Sequence, residues 1–173
     1  MSTGNAPLVG IVMGSDSDWP KIQGVAKALE EFGVPMEIRV MSAHRTPDIV
    51  HQFATTAAAR GMKVVIAAAG GAAHLAGVVA SHTTLPVIGI PVVTDLAGGL
   101  DSLLSTVQMP GDVPVACVAA GSGGPRNAGL LAVEILALSD PDLQQKLADF
   151  KHRLADKVTQ KNEALQKRLA EAK

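Results

Sequence analysis

Short apolar runs alternate along the chain with longer segments in which apolar residues recur every three or four positions. The short runs predict strands over residues 8–13, 36–40, 64–69, 87–90 and 115–120. Within Met36–Val40 apolar and charged residues alternate, which predicts a half-buried strand at the edge of a sheet. Val64–Ala69 is apolar throughout, so we expect it near the centre of the sheet.

The segments with helical spacing follow these strands. They predict helices over residues 19–33, 47–61, 72–81, 100–107 and 127–138. In the second helix Thr46 is the expected N-cap, and five residues are expected to face the core: Ile49, Val50, Phe53, Ala54 and Ala57. Alternating strands and helices predict an α/β fold, a parallel sheet with helices on both faces. Because crossovers between parallel strands are right-handed, all five strand-to-helix turns should lie along one edge.

A further amphipathic helix is predicted from Asp140 almost to Lys173. Its apolar residues form a narrow stripe with spacings of mostly three and four, namely Leu143, Leu147, Phe150, Leu154, Val158, Leu165 and Leu169. The length of 173 residues predicts a single domain, with a core over residues 8–138 and a helical extension over residues 140–173. We interpret the extension as an oligomer contact. The alternative is a solvated helix with a frayed end, because its polar face is dense with charge.

Composition and charge exclude several partners. The chain has three Phe, one Trp and no Tyr, and its net charge is -1, so neither base stacking nor a basic surface supports nucleic-acid binding. The apolar runs are too short or too interrupted to span a membrane. Residues 1–7 are polar and lack the apolar core of a signal peptide. The single cysteine, Cys117, is predicted to be buried. Because one cysteine cannot form a disulfide within the chain, a reducing, cytoplasmic location is favoured.

The second strand-to-helix turn, residues 42–47, carries the strongest candidate chemistry. Its sequence is Ser-Ala-His-Arg-Thr-Pro. His44 can transfer a proton near neutral pH, and Arg45 can bind a phosphate or carboxylate through two parallel hydrogen bonds. Ser42 lies in the same turn. The alternative is a helix cap beside a surface histidine and arginine.

The first and third turns add polar groups and glycines. Ser15 and Ser17 suit a phosphate, and Asp18 could accept the hydroxyls of a ribose, although all three also fit an ordinary helix cap. Gly70 and Gly71 allow a ligand to approach the backbone closely. The histidine of this turn, His74, has a structural role as its alternative. The three histidines elsewhere in the chain are interpreted as structural, because no second polar group accompanies them in a turn: His51, His82 and His152.

Several classes of site are missing from the sequence. There is no Walker A motif, so we expect no ATP site. The segment after Gly121 fails the dinucleotide fingerprint, because Arg126 stands where its last glycine would be. No group of histidine, cysteine and acidic residues has the spacing of metal ligands, and no Gly-x-Ser-x-Gly motif ends a strand.

Six motifs together resemble the class I PurE family, the N5-carboxyaminoimidazole ribonucleotide mutases of purine biosynthesis. The likeness covers residues 8–138. The motifs are Gly-Ser-x-Ser-Asp-Trp at 14–19, Ser-Ala-His-Arg-Thr-Pro at 42–47, Ala-Gly-Gly-Ala-Ala-His-Leu at 69–75, Gly-x-Asp-Ser-Leu-x-Ser at 99–105, Val-Gln-Met-Pro at 107–110 and Asn-Ala-x-Leu-Leu-Ala at 127–132.

The resemblance implies a flavodoxin-like three-layer αβα fold, doubly wound and assembled as a homo-octamer. It implies an isomerase acting on a small nucleotide without metal or cofactor. The substrate carbamate loses carbon dioxide in a closed pocket, and the carbon dioxide adds to C4 of the aminoimidazole ring. His44 matches the proton-transfer residue of the family. The other matching positions would bind substrate. Ser15, Asp18 and Arg45 match general substrate-binding positions, and Ser17 and Ser42 would lie near the phosphate. Gly71, Ala72 and His74 would lie around the carbon dioxide.

Two departures from the family pattern stand out. Ala76 follows Leu75 where the family usually has proline, and the fifth turn reads Gly-Ser-Gly-Gly-Pro-Arg at residues 121–126. Two other functions stay open. One is a class II carboxylase that takes aminoimidazole ribonucleotide and free carbon dioxide, and the other is a non-enzymatic nucleotide-binding module on the same fold.

Overall fold

The computed structural model describes residues 6–171. Within them, the sheet is formed by β1 Val9–Met13, β2 Met36–Val40, β3 Val64–Ala69, β4 Val87–Pro91 and β5 Ala116–Cys117. All pairings are parallel, and the strand order is β2-β1-β3-β4-β5, which is that of flavodoxin-like folds. The predicted edge position of the second strand and central position of the third are confirmed.

Helices follow each strand and continue to the end of the described chain. They are α1 Trp19–Ile22, α2 Gly24–Phe32, α3 Pro47–Ala57, α4 Leu75–His82, α5 Leu100–Val107, α6 Gly124–Ala137 and α7 Pro141–Glu171, with short 3-10 helices at Asp16–Asp18 and Leu96–Gly98. The predicted first helix is therefore two helices separated at Gln23. Gly33 ends α2 in the left-handed conformation with φ 73°, which glycine adopts without strain.

The core covers both faces of the sheet. On one face, side chains from β1, β3 and β4 pack with those of α3 and α4. A Cβ at Gly10 would lie 2.8 Å from Cζ of Phe53, so this glycine permits the close approach of α3. On the other face Ile11, Ile66 and Ile88 are fully buried. Right-handed crossovers place α2 there, and α6 packs against it, since a Cβ at Gly129 would lie 2.7 Å from that of Ala28.

Two predictions about α3 need correction. Ile49 was expected in the core but is 48% exposed. The buried stripe of α3 is Val50, Phe53, Ala54 and Ala57, and Ile49 lies about 100° around the helix axis from Val50. Thr46 occupies the N-cap position but makes no capping bond. Instead its hydroxyl accepts from the Ser42 N–H at 2.9 Å and donates to the Ser42 carbonyl at 3.2 Å, so it closes the second turn.

The fifth strand and the start of α4 also differ from the prediction. Only Ala116 and Cys117 pair with β4, because the backbone leaves the extended conformation at Ala119, where φ is 143°. Cys117 is half-buried rather than buried, since β5 is an edge strand with a neighbour on one side. Helix α4 begins at Leu75 rather than at residue 72, because the Ala73 and His74 N–H groups bond to the carbonyls of Gly71 and Ala72 in tight turns instead of joining the helix.

The chain divides into two compact units, one up to Ile135 and one from Leu136 onward. In the second unit, α7 spans 31 residues, as predicted, which corresponds to roughly 46 Å. Leu143 and Phe150 are buried. The later apolar residues of the stripe are exposed: Leu154, Val158, Leu165 and Leu169. Over residues 6–171, no helix combines the length and the apolar character that crossing a membrane requires.

Candidate functional site

A cavity of about 540 Å³ opens at the carboxyl ends of β1, β2, β3 and β4. It lies beside the point where the chain order of the strands reverses, between β1 and β3, which is where ligands bind in open α/β sheets. Seven of the nine predicted site residues line it: Ser15, Asp18, Ser42, His44, Arg45, Gly71 and Ala72. The other two, Ser17 and His74, contact lining residues.

The two histidines of the site are paired. Nε2 of His44 lies 2.8 Å from Nδ1 of His74, and the ring planes are nearly perpendicular at 81°. The two side chains come from the turns after β2 and β3, which flank the turn after β1. The ring of His74 is exposed and lies against another histidine at the cavity. Such a pair can hold or pass a proton.

Arg45 links the second turn to the first. Its Nη2 donates to the Gly14 carbonyl at 2.8 Å, and its Nε lies 3.4 Å from Oγ of Ser42. Ser42 also accepts from the backbone N–H of Arg45 at 3.2 Å. These bonds fix the guanidinium at the cavity wall. A positive charge held in this way can attract the phosphate of a ligand.

The first turn supplies hydroxyls and a carboxyl. Oγ of Ser15 accepts from the Ser17 N–H at 3.3 Å and lies 2.8 Å from Oγ of Ser17, so the two serines form one polar cluster. Partial burial raises the pKa of the Asp18 carboxyl above its usual value, against the opposing effects of a hydrogen bond from the Ser15 backbone and the charge of Lys21. The carboxyl lies partly buried at the cavity wall, where it can accept hydrogen bonds from a hydroxyl-bearing ligand.

The third turn brings backbone close to the cavity. Gly70 and Gly71 line it, and a Cβ at Gly70 would lie 3.2 Å from Cγ2 of Thr94. The Ala73 N–H donates to the Gly71 carbonyl at 2.8 Å, so the segment before α4 is tightly turned. Ala73 is buried, whereas Ala72 and His74 are exposed in the single chain.

Sequence reasoning missed a fourth group of residues, from the loop after β4 and the start of α5. Thr94 lines the cavity, and its hydroxyl donates to Oδ1 of Asp101 at 2.6 Å. Oγ of Ser102 accepts from the Gly71 N–H at 2.9 Å. The motif at residues 99–105 was the available signal, since it places three polar residues on a predicted helix.

The departures in the fifth turn fall outside this cavity. Gly121, Ser122 and Pro125 line a separate cavity of about 400 Å³ beside α1 and the end of β4. Ala76, the other departure, lies in the first turn of α4 and is 2% exposed, so the helix begins without the proline that the family usually has there. Among residues 6–171, no group of three or more histidine, cysteine or acidic side chains is arranged to hold a metal ion.

The fold agrees with the comparisons to known proteins. A family model described as AIR carboxylase matches residues 8–157, and the chain belongs to that family. The curated relatives in this family include proteins named N5-carboxyaminoimidazole ribonucleotide mutase. That of Mycobacterium tuberculosis is 55% identical over 164 residues, which cover 95% of this chain and 93% of the relative. That of Bacillus subtilis is 52% identical and covers 92% of this chain and 98% of the relative.

Solved structures agree with the fold. The crystal structure of Treponema denticola PurE matches with a TM-score of 0.80 and 31% identity, covering 89% of this chain and 95% of that one. The resemblance to PurE and the flavodoxin-like α/β fold are thus confirmed.

Proposed function

We propose that this chain is a mutase that converts N5-carboxyaminoimidazole ribonucleotide to 4-carboxyaminoimidazole ribonucleotide. The observation that carries the proposal is the 2.8 Å contact between His44 and His74 at a cavity built from the first four strand-to-helix turns. The names of relatives at 52–57% identity support the same reaction.

The reaction needs proton transfer at two atoms. Cleavage of the N–C bond of the carbamate releases carbon dioxide, and the amino group attached to the ring takes up a proton. C4 of the ring then attacks the carbon dioxide and loses its own proton. In our proposal His44 donates the first proton and accepts the second, so the enzyme returns to its starting protonation state. The partner His74 holds the His44 ring in one orientation and tautomer.

The other site residues bind the nucleotide in this proposal. Arg45 and Ser42 contact the phosphate with the hydroxyls of Ser15 and Ser17, and Asp18 accepts the ribose hydroxyls. The third turn, at Gly71 and Ala72, holds the carbon dioxide beside His74. Their positions around one cavity support these roles. Binding of the remote phosphate then serves to position the ring.

A carbon dioxide intermediate must be kept from solvent, yet His44, Ala72 and His74 are exposed in the single chain. We therefore propose that the active enzyme is a homo-oligomer, an octamer in the family pattern, in which assembly helps to close the pocket. The extension over residues 140–173 would contribute a contact through the exposed apolar residues of α7, and residues 8–138 would carry the site. We place the enzyme in the cytoplasm, where a purine biosynthetic step has its substrates.

The experiment that tests this function is direct turnover. Purified protein is mixed with N5-carboxyaminoimidazole ribonucleotide, and formation of the C4 carboxylate is followed in the absence of ATP and added metal. We expect product to form well above the uncatalysed rate. No product above that rate would contradict the mutase assignment.

A further inference from the structure

One motif of the sequence has no part in the proposed chemistry, although its side chains contact the site. It is the segment 99–105, which holds Asp101, Ser102 and Ser105 in the first turns of α5. None of these three is among the residues that line the cavity. All three nevertheless contact residues that do.

Two serines bond to the polar backbone atoms of Gly71. Oγ of Ser102 accepts from the Gly71 N–H at 2.9 Å, and the hydroxyl of Ser105 donates to the Gly71 carbonyl at 3.2 Å. Ser102 is fully buried, so water does not compete for this bond. Gly71 has φ 68°. Because glycine can adopt many other backbone conformations, the two hydrogen bonds select this one in the glycine-rich turn.

Asp101 orients the first of these serines. Its Oδ1 accepts from the Ser102 N–H at 2.8 Å and from the Ser102 hydroxyl at 3.4 Å. A serine hydroxyl has one hydrogen, so when that hydrogen faces Asp101 the lone pairs are left for the Gly71 N–H. The same Oδ1 accepts from the hydroxyl of Thr94, which lines the cavity.

The Asp101 carboxyl is held in its ionised form, which accepts all these hydrogen bonds. The hydrogen bond from the Thr94 hydroxyl, and then that from the Ser102 N–H, lower the pKa of the Asp101 carboxyl below its usual value. Asp101 is therefore ionised throughout the neutral range. One carboxylate thus connects two walls of the cavity, the turn after β3 and the loop after β4.

We propose that Asp101 is a positioning residue that acts through Ser102 to fix the turn at residues 71–74. By holding Gly71, it keeps His74 within hydrogen-bond distance of His44. The inference rests on the proposed function for its catalytic consequence, but the hold on Gly71 is a separate claim with its own measurement.

Kinetics test the catalytic consequence. Asp101→Asn weakens the acceptor for three hydrogen bonds, and Ser102→Ala removes the acceptor for the Gly71 N–H. Because displacement of catalytic groups by about 1 Å can cost about 100-fold in rate, we expect kcat to fall about 10- to 100-fold. KM should change less than kcat, since the phosphate-binding side chains of the first two turns are untouched.

Two control variants match the chemical changes. Asp95→Asn alters an exposed aspartate of the same loop that makes no capping bond. Ser81→Ala removes a hydroxyl on α4 that bonds within its own helix, to the Val78 carbonyl at 2.8 Å. Both controls should retain wild-type kcat and KM.

Amide hydrogen exchange, read by NMR, tests the hold on Gly71 independently of catalysis. We expect the Gly71 amide to exchange at least tenfold faster in Ser102→Ala than in wild type, with amides of β1 and β3 unchanged. If Ser102→Ala fails to fold, the same exchange is measured in Asp101→Asn, which keeps the Ser102 hydroxyl but weakens the acceptor that orients it. We expect the Gly71 amide to exchange faster in that variant as well, and unchanged exchange there would overturn the inference.

Unchanged Gly71 exchange in a folded Ser102→Ala protein, or wild-type kcat in both Asp101→Asn and Ser102→Ala, would overturn the inference. Failure of the proposed function looks different, because wild-type protein would then form no product. The exchange measurement would still decide whether Ser102 holds Gly71.

Discussion

Nε2 of His44 and Nδ1 of His74 lie 2.8 Å apart, although the two residues are 30 positions apart in the sequence. A neutral imidazole carries one N–H, so one of these nitrogens donates and the other accepts. The tautomers of the two rings are therefore coupled. If His44 transfers a proton as proposed, the hydrogen bond to His74 must adjust with it.

Replacement of His44 tests the proton-transfer role. His44→Asn keeps a polar side chain of similar size but cannot shuttle a proton near neutral pH. We expect folding and nucleotide binding to persist and turnover to fall on the order of 100-fold or more, as for a general acid–base residue. Steady-state kinetics and calorimetric binding check this, with His82→Asn on α4 as the control. Near-normal turnover in His44→Asn would remove His44 from the mechanism.

Replacement of Arg45 tests the phosphate role. Arg45→Lys keeps the charge but cannot reproduce the bonds that the guanidinium makes to Gly14 and Ser42 while also facing a phosphate. We expect nucleotide affinity to fall about tenfold or more, measured by calorimetry. Arg168→Lys on α7 should bind as wild type does. Equal affinity in Arg45→Lys and wild type would contradict a phosphate contact.

Asp18 links binding to stability. Its pKa is raised in the folded state by burial, so the folded protein binds this proton more tightly than the unfolded chain does. Stability is therefore reduced at a pH above the folded-state pKa, and the reduction disappears as the pH falls below the usual aspartate range, near pH 4.

Asp18→Asn should accordingly raise the melting temperature at pH 7, and the gain should vanish toward pH 4. The same variant should bind the nucleotide more weakly, because an amide replaces the acceptor for ribose hydroxyls. Thermal unfolding at several pH values and calorimetry check both effects. Asp112→Asn, at an exposed aspartate, should change neither. A lower melting temperature for Asp18→Asn at pH 7 would show that the charged carboxyl is stabilising.

The apolar stripe of α7 tests the proposed assembly. Leu154, Val158, Leu165 and Leu169 are 40% or more exposed. If they form a subunit contact, removal of residues 139–173 should lower the number of subunits per particle, measured by sedimentation at micromolar concentration. Wild-type protein should sediment as a large oligomer. A monomeric wild type would contradict the assembly, whereas an unchanged number of subunits after truncation would contradict the part assigned to the helix.

Much of the fold and site was predictable because the signals are local. The spacing of apolar residues distinguishes strands from helices, and glycines and prolines mark the turns between them. Because the strands are parallel, these turns lie at one edge of the sheet, where Ser15, His44 and Gly71 meet. The errors at Ile49 and β5 arose where tertiary neighbours decide burial and pairing. The contact of His74 with His44, and that of Ser102 with Gly71, join residues about 30 positions apart. Their distances depend on strand order and on the left-handed turn at Gly71, which no local pattern specifies.

The source of the transferred carbon distinguishes a mutase from a carboxylase. In the mutase, carbon dioxide comes from the carbamate of the substrate and is recaptured at C4 before it escapes to solvent. In the carboxylase, it comes from solution. In our proposal His44 would accept the C4 proton in either reaction, so the two reactions would look alike in the variants above.

The measurement that tests the central claim most directly is turnover of unlabelled N5-carboxyaminoimidazole ribonucleotide in a buffer of isotopically labelled bicarbonate, with the product carboxylate analysed by mass spectrometry. We predict a product that is mostly unlabelled, together with little activity on aminoimidazole ribonucleotide plus bicarbonate. Full incorporation of label during turnover, or efficient use of the decarboxylated nucleotide, would contradict the mutase and assign the chain a carboxylase reaction.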